Sequence, residues 1–336
     1  MEKQLSGLNA ALTAFVGTCN RAAKRTLTAT VRRKISQSKK ARWAQRKGQA
    51  SAQNRACYVS ATPSPELLYF RAMTDIDSYK PGSFCWVELG TTDQNAAKRF
   101  YGELFGWVAN DMPMGPEGVY TIFKLNGRDA AAGYTLRQDQ RARGVPPHWI
   151  LYVTVESADA KAGQAAKAGG TVLAGPFDVM DVGRMAVLTD PTGAAFCVWQ
   201  AKGGKANGLA DVDGTLCWAD LNTPDPDRAG KFYGELFGWK FTKDTDDDPP
   251  SGYLHIQNGG DFIGGLPPVT ARSSQMPAHW LPYFQISNCD ATAAKARQLG
   301  AKFYLDPMTL EDVGRFAVLA DPQGAVFAIF QSGRKG

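Results

Sequence analysis

Histidine is scarce in this chain, with three in 336 residues. A site that holds a divalent metal through several imidazoles is therefore hard to assemble. Cysteine occurs six times but never as CxxC, which argues against a zinc ribbon or a disulfide framework. A reducing compartment fits these thiols, and a cytoplasmic location is the expectation. No run of about 18 apolar residues occurs, so a transmembrane helix is not expected. The mildly apolar LNAALTAFVGTC follows MEKQ, whose charges cancel, which makes it a poor secretory signal.

Acids are missing from Arg21 to Lys47, a stretch that carries eleven Lys or Arg. Residues 1–78 hold 14 basic against 4 acidic side chains, whereas the remainder holds 24 against 28. The leading segment and the body are therefore different kinds of chain. The run VRRKISQSKKARWAQRKG suits a basic helix that makes weak contact with nucleic-acid phosphates. An unstructured extension with no essential role is the first reading, ahead of nucleic-acid contact, and a transit peptide or a start assigned too far upstream are the other readings. SATPSPELLYF reads as a linker, and the folded body is expected to begin near Pro81.

The body repeats itself. FYGELFGW stands at Phe100–Trp107 and again at Phe232–Trp239. GSFCWVELGTTDQNAAKRFYGELFGW from Gly82 matches GTLCWADLNTPDPDRAGKFYGELFGW from Gly214, and DVGRMAVLTDPTGAAFCVWQ from Asp181 matches DVGRFAVLADPQGAVFAIFQ from Asp312. The offset reads as 131 or 132 throughout, so one domain occurs twice, at residues 81–202 and 213–333. Each half reads as strand, helix and three strands, and then the same again. FCWVELG alternates as a strand, DQNAAKRFYGELFG has helical apolar spacing closed by Gly, and RMAVLTDPTGAAFCVW is a hairpin. Within the octapeptide, Phe100, Leu104 and Phe105 lie on the buried face of a helix, so its role is packing.

These motifs resemble the vicinal-oxygen-chelate superfamily of glyoxalases, bleomycin-resistance proteins and extradiol dioxygenases. The marks are the strand followed by Asp, the FYGELFGW helix end, and the late DPTGAAF and DPQGAVF hairpins. The resemblance covers roughly Pro81 to Gln331. It implies an α+β fold of four βαβββ modules pairing into two glyoxalase-like cups, with the chain a monomer that acts as a fused pseudo-dimer. It also implies a divalent metal on His, Glu or Gln. Counting seven residues back from the Asp at each helix start places those ligand positions on Trp86, Tyr152, Trp218 and Tyr283, and the late-strand position on Cys197 and Ala328. None is a normal hard-metal ligand, so no metal is expected.

Strand parity puts Glu88 beside Trp86, Thr154 beside Tyr152, Asp220 beside Trp218 and Gln285 beside Tyr283 on each cup face. An acid in an apolar cup has its pKa raised toward the range of a general base. Glu88 and Asp220 are thus the catalytic candidates, against the plainer reading that they accept hydrogen bonds and order the sheets. Trp86, Tyr152, Thr154, His148, Cys197, Trp218, Tyr283, Gln285 and His279 are the ligand-binding candidates. His148 and His279 correspond, and a hydrogen bond fixing the strand entry is their first reading; His255 has no counterpart. Arg184 and Arg315 stand near the rim, where a carboxylate could be received, or a turn ion pair with the neighbouring Asp formed. Parity puts Cys85 and Cys217 on the face opposite the tryptophans. The expected function is binding of a small amphiphilic or aromatic molecule in metal-free cups. The alternative is a glyoxalase-like lyase or isomerase, or a dioxygenase-related enzyme, with a cup carboxylate as base.

Overall fold

A computed structural model describes residues 74–76, 78–114, 118–203, 208–210, 212–243, 252–269, 277–310 and 313–333. The basic run at 21–47 and the SATPSPELLYF linker lie outside the described residues. The first half comprises β1 (Thr74–Ile76), β2 (Phe84–Thr91), α1 (Gln94–Phe105), β3 (Val108–Pro113), β4 (Val119–Leu125) and β5 (Arg128–Thr135). It continues with the short α2 (Gln138–Ala142), β6 (His148–Thr154), α3 (Ala158–Lys167), β7 (Thr171–Val179), β8 (Gly183–Thr189) and β9 (Ala195–Ala201). After β10 (Gly208–Ala210) the second half repeats the order with β11 (Leu216–Asn222), α4 (Pro226–Phe237), β12 (Lys240–Lys243), β13 (Leu254–Asn258) and β14 (Asp261–Leu266). It ends with β15 (His279–Gln285), α5 (Cys289–Gln298), β16 (Lys302–Leu310), β17 (Gly314–Ala320) and β18 (Val326–Ser332).

Each half forms one mixed sheet. The second runs β12-β13-β14-β11-β15-β18-β17-β16; the first has the same order, with β5 also pairing β10 and, through it, β1. Down the middle, β2 runs antiparallel to β6 while β5 lies parallel to β2 and β9 parallel to β6. This seam joins two βαβββ modules and curls them into a cup. The strand Thr74–Ile76 lies inside the segment read as extension, and its backbone pairs with β10. Among the described residues no helix is long and apolar enough to cross a membrane.

The octapeptide helix begins where Asp93 accepts from the Ala96 N–H and ends where Gly106 turns left-handed at φ 74°, a conformation that favours glycine. Asp225 and Gly238 do the same for α4. Phe100, Tyr101, Leu104 and Phe105 are buried in a core drawn from both halves, each contributing on the order of 2 kcal/mol by burial. The repeat does more than pack its own half. Tyr101 Oη donates to Asp321 Oδ2 at 3.0 Å in the other half's DPQG turn, and Trp149 Nε1 donates to Tyr101 Oη at 3.1 Å. Tyr233 reciprocates with Asp190 of the first half's DPTG turn. Trp107 Nε1 reaches the Gly214 carbonyl at 3.1 Å and Trp239 Nε1 the Gly82 carbonyl at 2.8 Å. The same eight residues thus form both sides of a pseudo-twofold joint between the halves, and the two cups face away from it.

Candidate functional site

The strand registers bring the counted positions together. Trp86 pairs with Tyr152, and Tyr152 with Cys197; Trp218 pairs with Tyr283, and Tyr283 with Ala328. In the first cup these residues belong to a small cluster with Ile150 and Met185, separate from the main core. In the second they cluster with Leu281, Leu310, Val313 and Phe316. Indole, phenol, thiol and methyl groups at these positions do not fit a hard divalent cation. Among the described residues no group of three or more His, Cys, Asp or Glu is placed to hold a metal.

What the strands do build is a polar cluster around each acid. In the first cup Tyr120 Oη donates to Glu88 Oε2 at 2.6 Å. Tyr152 also hydrogen-bonds Glu88, and the Trp86 indole hydrogen-bonds Tyr120. In the second cup Tyr253 Oη donates to Asp220 Oδ1 at 2.5 Å, Trp218 Nε1 to the same oxygen at 2.9 Å, and Tyr283 Oη to Oδ2 at 2.9 Å. Trp218 Nε1 also lies 3.1 Å from Tyr253 Oη. Tyr120 and Tyr253 are equivalent: each stands two residues before a strand residue (Ile122, His255) whose partner (Ala132, Gly265) also pairs with the acid. Each cup therefore holds a tryptophan, an acid and two tyrosines, where the sequence reading had found one tyrosine.

Burial raises the pKa of Glu88, and the Tyr120 and Tyr152 hydrogen bonds only partly oppose it. Burial first and then the nearby Glu88 charge push the Tyr152 phenol well above its usual range. The same two causes, in the same order, keep the Cys197 thiol protonated and unreactive.

Two cysteines lie elsewhere than parity placed them. A β-bulge between Phe84 and Trp86, matched between Leu216 and Trp218, breaks the period of two. Cys85 and Cys217 consequently join the tryptophans at the cups, and their thiols reach the Tyr152 and Tyr283 carbonyls at 3.6 and 3.3 Å. Thr154 hydrogen-bonds Cys85 at this bulged end. Gln285 is buried on β15 opposite Phe330, and its backbone pairs with Gly214 and Thr215. His148 and His279 hold their Nδ1 atoms 2.8 and 2.9 Å from the Pro146 and Pro277 carbonyls at the strand entries. Burial lowers the His148 pKa, so that ring is neutral. His255 packs between Tyr253 and Phe262.

Arg184 does not pair with the adjacent Asp181; Asp312 lies outside the described residues. Arg184 and Arg315 each make a two-pronged pair with the first-turn aspartate of a helix, Asp159 at 2.6 and 2.9 Å and Asp290 at 2.8 and 2.7 Å. Those bonds lie on the helix side of the sheet and not in the cup, because Met185 and Phe316, one residue on, are the cup-facing ones.

Comparison with known proteins agrees with this geometry. The family model for the Glyoxalase/Bleomycin resistance protein/Dioxygenase superfamily matches residues 83–198 and 215–329. The Mycobacterium bovis protein named "Putative glyoxylase CFP32" is 40% identical over 256 residues, covering 75% of this chain and 96% of its own. The "Anthracycline biosynthesis protein DauV" of Streptomyces sp. (strain C5) is 32% identical over 265 residues, covering 75% and 94%. In fold, the chain is similar to an Mn(II)-bound glyoxalase from Novosphingobium aromaticivorans, with TM-score 0.53 at 15% identity over 76% of this chain and 83% of that one. The 2,3-dioxygenase LapB from Pseudomonas sp. KL28 gives TM-score 0.53 at 13% identity over 75% and 92%. The chain belongs to the Glyoxalase/Bleomycin resistance protein/Dioxygenase superfamily.

Proposed function

We propose that this chain is a metal-independent binding protein that takes a small amphiphilic or aromatic molecule in a cup walled by aromatic side chains. The observation that carries this reading is that Trp86, Tyr152 and Cys197 stand side by side on neighbouring strands, with Glu88 close by as the polar anchor. Such a wall binds by burial and ring stacking, and one acid orients a polar group of the ligand. The relatives named for anthracycline biosynthesis fit a flat aromatic ligand. No partner chain is required, since each half covers the other's helix face.

A second reading is favoured by the raised pKa of Glu88 beside the Tyr152 phenol. A base of that kind would take a proton next to a carbonyl, and the phenol would stabilise the resulting oxyanion, as in a glyoxalase-like lyase or isomerase. Glu88→Gln separates the two. Under the binding reading the substitution weakens affinity for an aromatic probe in a thermal-shift titration, and a glyoxalase-type assay shows no turnover to lose. If the wild type turns over and Glu88→Gln abolishes turnover at unchanged affinity, the base reading holds and the binding reading fails.

A further inference from the structure

The two cups differ in how much of the acid remains for a ligand. Asp220 is 2% exposed, and both of its oxygens are taken by side chains of its own half. Glu88 is only partly buried. The rims differ in the same sense. The turns Val179–Val182 and Leu310–Val313 close with the same 3.1 Å backbone hydrogen bond. Yet Val313 is 2% exposed and packs into the second cup, while Val182 is 49% exposed and Met180 54%. Leu310 and Phe316 fill the second cup where the first has the smaller Val179 and the slimmer Met185. The first cup is the one with room at its acid.

The surroundings of Glu88 define what suits that room. Tyr120 from β4, Tyr134 from β5, Tyr152 from β6 and Cys197 from β9 are the titratable groups facing it, and all are held neutral. Among the described residues, Lys124 pairs with Asp129, Arg137 with Asp139 and Arg184 with Asp159, and no cation is among the groups that shift Glu88. Trp86 and Trp199 add two more ring faces on the same cup, with Trp199 set edge-on to Tyr152. An unbalanced carboxylate inside an aromatic ring of walls is the chemistry that holds an organic ammonium, by charge at the acid and by cation–π contact at the rings.

Resting on the binding reading above, we infer that the first cup, and not the second, is a site for an amphiphilic amine, whose ammonium meets Glu88 among Trp86, Tyr120 and Tyr152 while its apolar body lies toward Val179 and Met185. The test is calorimetric titration of the full-length chain with three probes that share one ring: 1-naphthylmethylammonium, 1-naphthylmethanol and 1-naphthylacetate. The expected result is one ammonium bound per chain, about tenfold tighter than the alcohol, with the acetate weakest. Glu88→Gln is expected to bring ammonium and alcohol to equal affinity. In the wild type, lowering the pH through the raised titration of Glu88 protonates the acid and weakens the ammonium alone, which keeps the test available if the variant does not fold. Equal binding of alcohol and ammonium, two ammonium ions per chain, or a preference that survives Glu88→Gln overturns the inference. If none of the three probes binds, the binding reading itself falls, and this inference with it.

Discussion

The first and second cups carry the same side-chain types around an acid, yet one acid is sealed and the other is reachable. A glycine accounts for part of this. At Gly265 an added Cβ would sit 1.9 Å from the Tyr253 hydroxyl, so the absence of a side chain there lets Tyr253 settle against Asp220 and become 2% exposed. The first cup has Ala132 at the matching place, and Tyr120 is only half-buried above it. The shorter acid completes the difference: aspartate draws back into the Trp218, Tyr253 and Tyr283 donors, whereas glutamate reaches further into its cup. After duplication, a methyl and a methylene separate a fully buried acid from a partly exposed one.

The largest effect is expected from removing each acid. Asp220→Ala removes the carboxylate that Trp218, Tyr253 and Tyr283 all donate to and should cost about 3 kcal/mol, against about 1 kcal/mol for Glu88→Ala, where water can replace the lost carboxylate. Urea unfolding of the two variants compares them, and equal losses would break the distinction. Gly265→Ala should come next, at about 1–3 kcal/mol for forcing Tyr253 out of its place. It should also add a second binding event for an aromatic probe, since the second cup then opens; unchanged stoichiometry would mean that the glycine is not what seals it.

Acid strength gives a smaller, pH-dependent effect. Burial raises the folded pKa of Glu88, so its contribution to stability is present below the ordinary carboxylate range and is lost as pH rises through the folded value. Wild type should lose stability relative to Glu88→Gln as the pH rises above the ordinary carboxylate range and through the raised folded value, read from the urea midpoints; parallel curves would contradict the assignment. The smallest effect is expected at Arg184→Ala and Arg315→Ala. Their pairs with Asp159 and Asp290 are solvent-exposed, and Arg184 also pairs with Asp178 where Arg315 meets Thr309, so both should be salt-sensitive, Arg184→Ala slightly more so, and without influence on probe affinity.

Much of this was legible in the sequence. The repeat gave the order of elements, because FYGELFGW and the DPxG turns are long and lie in regular structure. Counting back from the helix aspartates reached Trp86, Tyr152, Trp218 and Tyr283, which the sheets do bring side by side. Tyr120 and Tyr253 escaped because the loop before them differs between halves, which moves the offset there from 132 to 133 and hides the match of VYT with GYL. Cys85 and Cys217 were misplaced because a bulge inserts a residue that a period of two cannot anticipate. The partners of Arg184 and Arg315 lie 25 residues away in sequence, which no local turn rule reaches. The joint between the halves was equally invisible, since nothing in one copy of the octapeptide indicates that its tyrosine bonds to the other copy's hairpin.

The central proposal is that aromatic and small apolar side chains, with an acid beside them, stand at the positions that the resemblance to this superfamily assigns to a metal. The most direct test is elemental analysis of the purified chain before and after incubation with Zn, Ni, Mn and Fe(II). The account predicts substoichiometric metal in every case; one tightly held ion per cup would contradict it.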